Sequence, residues 1–204
     1  WFSKSAMQPL SFDGKTYALP NTEDFLIMFY RKDILNEIGI TKVPETWDEV
    51  VDISPILQKQ HLDFYIPVAQ GTLNESLYAM IKQRGGNLYT DDYKEVAMLE
   101  PENIEAFVTY VRFFTNYGFV LEANFLNRFR SGEMPIGLSN FTLYNSLSVF
   151  APEIQGQWGY ALIPGTKDEF GNVNHTTTSV VSSTVIMNDT KEAEKLIPGV
   201  KAYN

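Results

Sequence analysis

The chain is predicted to be α/β on three observations. Short β-branched and aromatic segments alternate with segments of helical spacing along most of its length. Phe25 to Tyr30 is apolar without interruption, as a strand buried on both faces must be. Helix signals recur between the strand candidates, the clearest being Thr46 followed three residues later by Glu49, a capping box. Neither an internal repeat nor a low-complexity linker interrupts the alternation.

Taken in order, Trp1 to Leu10 is a short helix or lead-in, and Asp13-Gly14 turns the chain into a strand from Lys15 to Leu19 that Pro20 ends. Asn21, Thr22, Glu23 and Asp24 then make a polar corner before the strand Phe25 to Tyr30. Arg31 to Ile38 follows as a helix closed by Gly39, and Trp47 to about Gln60 as the capped one. Ile66 to Ala69 is expected as a short strand, and Leu73 to Arg84 as a helix stopped by Gly85-Gly86. After a loop with Asp91 and Asp92 at its tip, Pro101 opens a long helix to Tyr117. Ile104, Phe107, Val108, Val111 and Phe114 recur there at helical spacing, which predicts its core face. Then come a helix from Glu122 to Ser131, a strand from Pro135 to Leu138, a helix from Phe141 to Phe150 and a strand from Trp158 to Ile163. Thr166 to His175 forms a loop or hairpin, Val180 to Met187 a strand, and Lys191 to Leu196 the start of a helix.

Composition narrows the function. With 204 residues, 44% hydrophobic and 20% charged, the chain suits a soluble globular domain. A net charge of -9 disfavours nucleic acid and anionic membrane surfaces as partners, since both require clustered Lys and Arg. The absence of Cys removes disulfides, thiolate catalysis and Cys-based zinc sites. No run reaches the roughly 18 apolar residues of a membrane helix. The chain begins at Trp1 with neither Met nor a basic leader, which suggests a mature form or a domain excised from something longer. Aromatic content is high, with 11 Tyr, 14 Phe and 3 Trp, so rings are available for a binding face as well as for the core.

Catalytic constellations are missing. The two histidines, His61 and His175, have no metal-ligand spacing, and Gly137-Leu-Ser139-Asn lacks the second glycine of a nucleophile elbow. Gly85-Gly86 ends a helix, whereas a phosphate loop opens one. Asp91-Asp92 and Asp48-Glu49 fit solvated faces better than a glycosidase pair. Small polar and aromatic residues do gather after three strand candidates: Asn21, Thr22 and Glu23; Thr72, Asn74 and Glu75; and Ser139, Asn140, Phe141 and Tyr144. Loops at strand carboxyl ends are where open α/β sheets hold ligands. There, amides and hydroxyls can bond a polyhydroxylated solute while a ring stacks on a sugar face. Helix capping explains each Asn or Thr equally well taken singly.

Several segments carry a resemblance: Asp13-Gly-Lys-Thr-Tyr-Ala-Leu-Pro20, Phe29-Tyr-Arg-Lys-Asp33 followed by Gly39, Pro44-Glu-Thr-Trp-Asp-Glu49, Gly85-Gly86, Phe129-Arg-Ser-Gly-Glu-Met-Pro135, Pro152-Glu-Ile-Gln-Gly156 and Trp158-Gly-Tyr-Ala-Leu-Ile-Pro164. In order and spacing, over about residues 12 to 190, the chain resembles the extracellular solute-binding proteins of ABC importers, of the carbohydrate-type family that includes maltose-binding protein. The resemblance implies a periplasmic-binding-protein-like lobe, a mixed sheet flanked by helices, without catalysis. It divides the chain into a lead-in and hinge-entry strand (1–20), the lobe, mainly the family's second (21–190), and a truncated or atypical tail (191–204).

It also implies a sugar as solute, permease subunits as protein partners, an extracellular, cell-surface or periplasmic location in a bacterium, and a membrane reached only through an anchor outside this chain. No cofactor is implied. The implied ligand contacts are Asn74, Glu75 and Tyr78, with Phe141 or Tyr144 as the stacking ring, and Asn21 to Glu23 match the hinge-proximal corner; Asn140, next to Phe141, is added from the strand-end reading above. Glu75 stands where maltose-binding protein has an aromatic, which leaves the sugar class open. Half a cleft is expected to bind weakly, because closure supplies most of the desolvated contact. A peptide or polyamine binder, a sensory or scaffold module, and a glycoside-processing enzyme are the other readings, in falling order.

Overall fold

The computed structural model describes residues 2–68 and 74–185. Ser3 caps a one-turn helix, α1 (Lys4–Met7), by accepting the Ala6 N–H at 3.1 Å. Strands β1 (Ser11–Phe12) and β2 (Lys15–Thr16) pair antiparallel around Asp13 and Gly14, whose φ of 50° and 74° suit a two-residue hairpin turn. β3 follows as Leu19–Arg31, then α2 (Lys32–Glu37) and α3 (Trp47–Lys59). The capping box of α3 is complete in both directions between Thr46 and Glu49. β4 (Phe64–Tyr65), α4 (Glu75–Gln83), α5 (Pro101–Thr115) and α6 (Phe125–Ser131) come next. The side chains of Asn74 and Asn124 cap α4 and α6. β5 (Ile136–Asn140), α7 (Thr142–Phe150), β6 (Trp158–Ala161), the hairpin of β7 (Thr166–Lys167) and β8 (Val173–Asn174), and β9 (Ser179–Thr184) complete the described chain.

Two compact units result. The smaller comprises Trp1–Asp24 with Ser179–Asn204, the larger Phe25–Thr178. In the smaller unit the start of β3 pairs with β9. Asn21 Nδ2 donates to Thr184 Oγ1 at 2.6 Å, Thr22 and Ser182 share a hydroxyl bond of 2.6 Å, and Glu23 accepts from Ser3, Ser5 and Ser179. These bonds hold the Glu23 carboxyl below its usual range, Ser3 contributing most and Ser5 next.

The larger unit is a four-strand sheet ordered β4-β5-β3-β6, with β4 parallel to β5 and the other pairs antiparallel. Side chains of β3 alternate between two cores, as a strand covered on both faces requires. Leu26 and Met28 join Trp47, Val50 and Leu57 of α3, Met80 and Ile81 of α4, and Phe113 of α5. Ile27 and Phe29 face Phe125 and Phe129 of α6 and Leu143 and Leu147 of α7. Arg31, itself buried, closes the far end of β3 by donating to both Asp33 carboxylate oxygens and to the carbonyls of Phe129 and Arg130.

The α/β class and the mixed, helix-flanked sheet stand. Several elements differ from the sequence reading. The polar corner at Asn21 to Glu23 is not a break: β3 runs through it, because β9 supplies hydroxyl and backbone partners for the polar side chains. Leu19 belongs to that strand and not to the hairpin strand. The strand expected at Ile66 lies two residues earlier, at Phe64–Tyr65, where it reaches Ile136 and Gly137 of β5; Ala69 lies outside the described residues. On α5 the core face is turned. Asn103, Ala106, Tyr110 and Phe113 are buried, whereas Ile104, Phe107 and Val108 are exposed and Val111 and Phe114 half-buried. Asn103 takes an inward place because its amide donates to the carbonyls of Asn87 and Ala97, fastening the loop that precedes the helix. The segments expected at Met187 and at Lys191 to Leu196 lie outside the described residues.

Candidate ligand-binding site at the strand ends

Because β4 and β5 are parallel neighbours, their carboxyl ends open on the same side of the sheet, where α/β sheets place ligands. β5 ends at Asn140, opposite Leu26 in β3. The next residue, Phe141, donates its N–H to the Phe25 carbonyl at 2.9 Å, which fixes where α7 begins. Leu26 is held from the other side: its N–H reaches the Thr178 carbonyl at 3.4 Å, and Thr177 Oγ1 donates to its carbonyl at 2.7 Å. Asn140 is half-buried at the lip of this arrangement.

Three rings stand beside it as a ladder. Phe25 and Phe141 stack at 5.2 Å with 10° between their planes, and Phe141 and Tyr144 at 5.5 Å with 17°. The pairing of the last two follows from their spacing of three residues at the start of α7. Tyr160 of β6 meets Phe141 and Tyr144 edge-on at 6.0 Å and 5.9 Å, and Trp158 meets Tyr144 edge-on at 5.5 Å. Phe141 therefore has a ring against each face, while Tyr144 at the end of the stack keeps 37% of its surface exposed.

At the end of β4 the polar residues are tied down. Asn74 accepts the Leu77 N–H through Oδ1 and donates through Nδ2 to the Tyr110 hydroxyl at 2.5 Å. Burial raises the Tyr110 phenol above its usual pKa; the Asn74 bond opposes this and the Tyr65 phenol adds to it. Tyr65, stacked on Phe125 at 4.9 Å, is raised by burial too. Both phenols are therefore neutral at physiological pH, and that of Tyr110 accepts the Asn74 bond. Glu75 lies half-buried in the first turn of α4, and Tyr78 packs its ring against the larger core. Thr72 lies outside the described residues.

Of the residues expected from the sequence, Asn140, Phe141 and Tyr144 come together at the end of β5, and Asn74 and Glu75 at the start of α4. Asn21, Thr22 and Glu23 belong to the smaller unit, where their side chains bind β9 and the residues around α1. Phe25, Tyr65, Tyr110, Trp158 and Tyr160 complete the two clusters and were not anticipated. Only Phe25 left a trace in the sequence, as the first ring after a polar run; the others depend on strand register. Among the described residues no group of three His, Asp or Glu side chains is placed to hold a metal ion, and no helix is long and apolar enough to cross a membrane.

Comparison with known proteins identifies the fold and the family. An arabinooligosaccharide-binding protein of Halalkalibacterium halodurans is 28% identical over 102 residues, which cover 46% of this chain and 21% of that protein. An ABC transporter solute-binding protein of Thermotoga lettingae, solved with alpha-D-tagatose, superposes with a TM-score of 0.74 at 20% identity, over 93% of this chain and 50% of that one. The sugar-binding protein MalE of Xanthomonas citri gives a TM-score of 0.71 at 22% identity, over 94% of this chain and 49% of its own. The chain thus spans about half the length of these solved structures and shares their fold. The profile described as bacterial extracellular solute-binding protein matches residues 2–203, and the chain belongs to that family.

Proposed function

We propose that the chain is the sugar-holding part of the substrate-binding component of a bacterial ABC importer, without catalytic activity, and that it acts outside the cytoplasmic membrane. The observation that carries this reading is the ring ladder ending at Tyr144 beside Asn140, at the carboxyl end of β5. An amide and an outward ring match the two needs of a neutral oligosaccharide, hydroxyl bonding and stacking. Family membership and the sugars named for similar proteins support it. Within the ladder, Tyr144 is the ring that meets the sugar and Phe141 the ring that backs it; Asn140, Asn74 and Glu75 supply polar contacts. Permease subunits are the protein partners, and any membrane attachment lies in sequence outside this chain.

The test is isothermal titration of this chain against arabino- and malto-oligosaccharides, peptides and polyamines. Saturable binding of a sugar in the millimolar range, the weak affinity of an unclosed site, lost in Tyr144→Ala and retained in Tyr144→Trp, is expected. Binding of peptides or polyamines in place of sugars, or hydrolysis of any glycoside, overturns it.

A further inference from the structure

A groove of about 410 Å³, bordered by Tyr144, runs along β6, within the size range of small-molecule sites. Tyr144, Trp158 and Tyr160 line it, together with Tyr30, Lys32 and Gln155. β6 is the last strand of the sheet, so its outer edge carries backbone groups that no strand of this unit pairs. Gly159 keeps the floor low: a Cβ there would lie 2.9 Å from the Tyr30 ring and 3.0 Å from Lys32 Cε.

The charge of the groove is one-sided, Lys32 being its charged side chain. Among the described residues, Lys32 Nζ enters no ion pair, and neither Trp158 Nε1 nor the Gln155 amide has a hydrogen-bond partner. Every one of these groups brings an N–H donor. No Asp or Glu lines the groove, in a chain whose net charge is -9. Aromatic walls suit the apolar face of a sugar ring, and donors unmatched by protein acceptors suit a ligand rich in acceptors.

We infer that this groove is a second carbohydrate subsite and that it takes a sugar unit bearing a carboxylate, a uronic acid residue, with Lys32 on the carboxylate and Tyr160 or Trp158 against the ring. The inference rests on the carbohydrate reading above and extends it along Tyr144, the residue common to both places.

Trigalacturonate and neutral galactotriose, titrated into this chain with tryptophan emission as the readout, provide the test. Trp1 and Trp47 also emit, so the response of Trp158 is isolated by comparison with Trp158→Phe. The charged trisaccharide is expected to bind about tenfold more tightly, the effect of one charge-assisted contact. Lys32→Met, at an exposed position that leaves folding intact, is expected to erase the preference. Equal affinity for the two trisaccharides, or a preference that survives Lys32→Met, overturns the groove assignment alone if galactotriose still binds in an Asn140-dependent way. Failure of both trisaccharides and of the neutral panel to bind overturns the carbohydrate reading together with it.

Discussion

Gln83→Leu is expected to destabilise the larger unit by about 3 kcal/mol, although Gln83 is a polar residue near the end of a helix. Its side chain, 5% exposed, accepts from Trp47 Nε1 at 2.7 Å and from Thr166 Oγ1 at 3.2 Å, and donates to the carbonyls of Pro164 at 3.0 Å and Thr176 at 3.1 Å. One amide thus joins α3, α4 and both flanks of the β7–β8 hairpin. Leucine fills much of the volume and makes none of these bonds. Trp47, 3% exposed, would keep its indole N–H in the core without an acceptor, a loss of about 2 kcal/mol. The buried Pro164 carbonyl adds about 1 kcal/mol. Thr166 and Thr176 are open enough to turn to water and add little. Urea unfolding followed by far-UV circular dichroism measures the change. A double-mutant cycle with Trp47→Phe, which removes the indole donor, should return a coupling energy of about 1–2 kcal/mol. A loss under about 1 kcal/mol for Gln83→Leu at unchanged m-value, or a coupling near zero, would refute the account of the amide as a shared acceptor and donor.

Other substitutions probe the packing. Gly137→Ala places a Cβ 2.6 Å from Tyr65 Cβ and 2.9 Å from Phe125 Cε2, and should cost about 1–3 kcal/mol by overpacking; an unchanged melting temperature would show that the Tyr65–Phe125 stack yields freely. On α5, Phe107→Ser should stay within about 0.5 kcal/mol and Phe113→Ala should cost about 3–5 kcal/mol, and the reverse order in thermal unfolding would restore the face expected from spacing. Hydrogen bonds from Arg31 hold the Asp33 carboxyl below its usual pKa against a smaller opposing effect of burial. Its stabilising contribution is therefore complete above about pH 4 and is lost as the pH falls through the lower folded value. Acid unfolding of Asp33→Asn should show a shallower fall over that range, and parallel curves for the two proteins would remove Asp33 from the acid response.

Local chemistry was legible wherever it acts locally. The Thr46–Glu49 box and the Asp13-Gly14 turn were set by neighbours in sequence and appear as expected, and of the apolar run Phe25 to Tyr30 the four inner residues, Leu26 to Phe29, are buried while its two ends are half-buried. Two readings failed because distant partners decide them. Asn21 and Thr22 look like a corner until β9, some 160 residues away, offers the hydroxyls of Thr184 and Ser182. The core face expected of α5 from spacing gives way because the carbonyls of Asn87 and Ala97 accept both N–H groups of the buried Asn103 amide, turning the helix away from its own apolar stripe. The candidate site divides in the same way. Asn140, Phe141 and Tyr144 are contiguous enough to be found from sequence, whereas Phe25 joins them only through the pairing of β3 with β5.

The ladder has a consequence for the entropy of association. A tyrosine free at the surface gives up rotamer freedom when a ligand lands on it, a loss of about 0.5–1.5 kcal/mol for each immobilised side chain. Tyr144 has already surrendered much of that freedom on folding, because Phe141 braces one face, itself braced by Phe25, and Trp158 and Tyr160 stand edge-on beside it. On the proposed reading the platform is preorganised, so a sugar stacking on it would meet a ring which need not be frozen first. Enlarging the space behind it, by Phe25→Ala or Phe141→Ala, would then weaken a contact that neither ring makes.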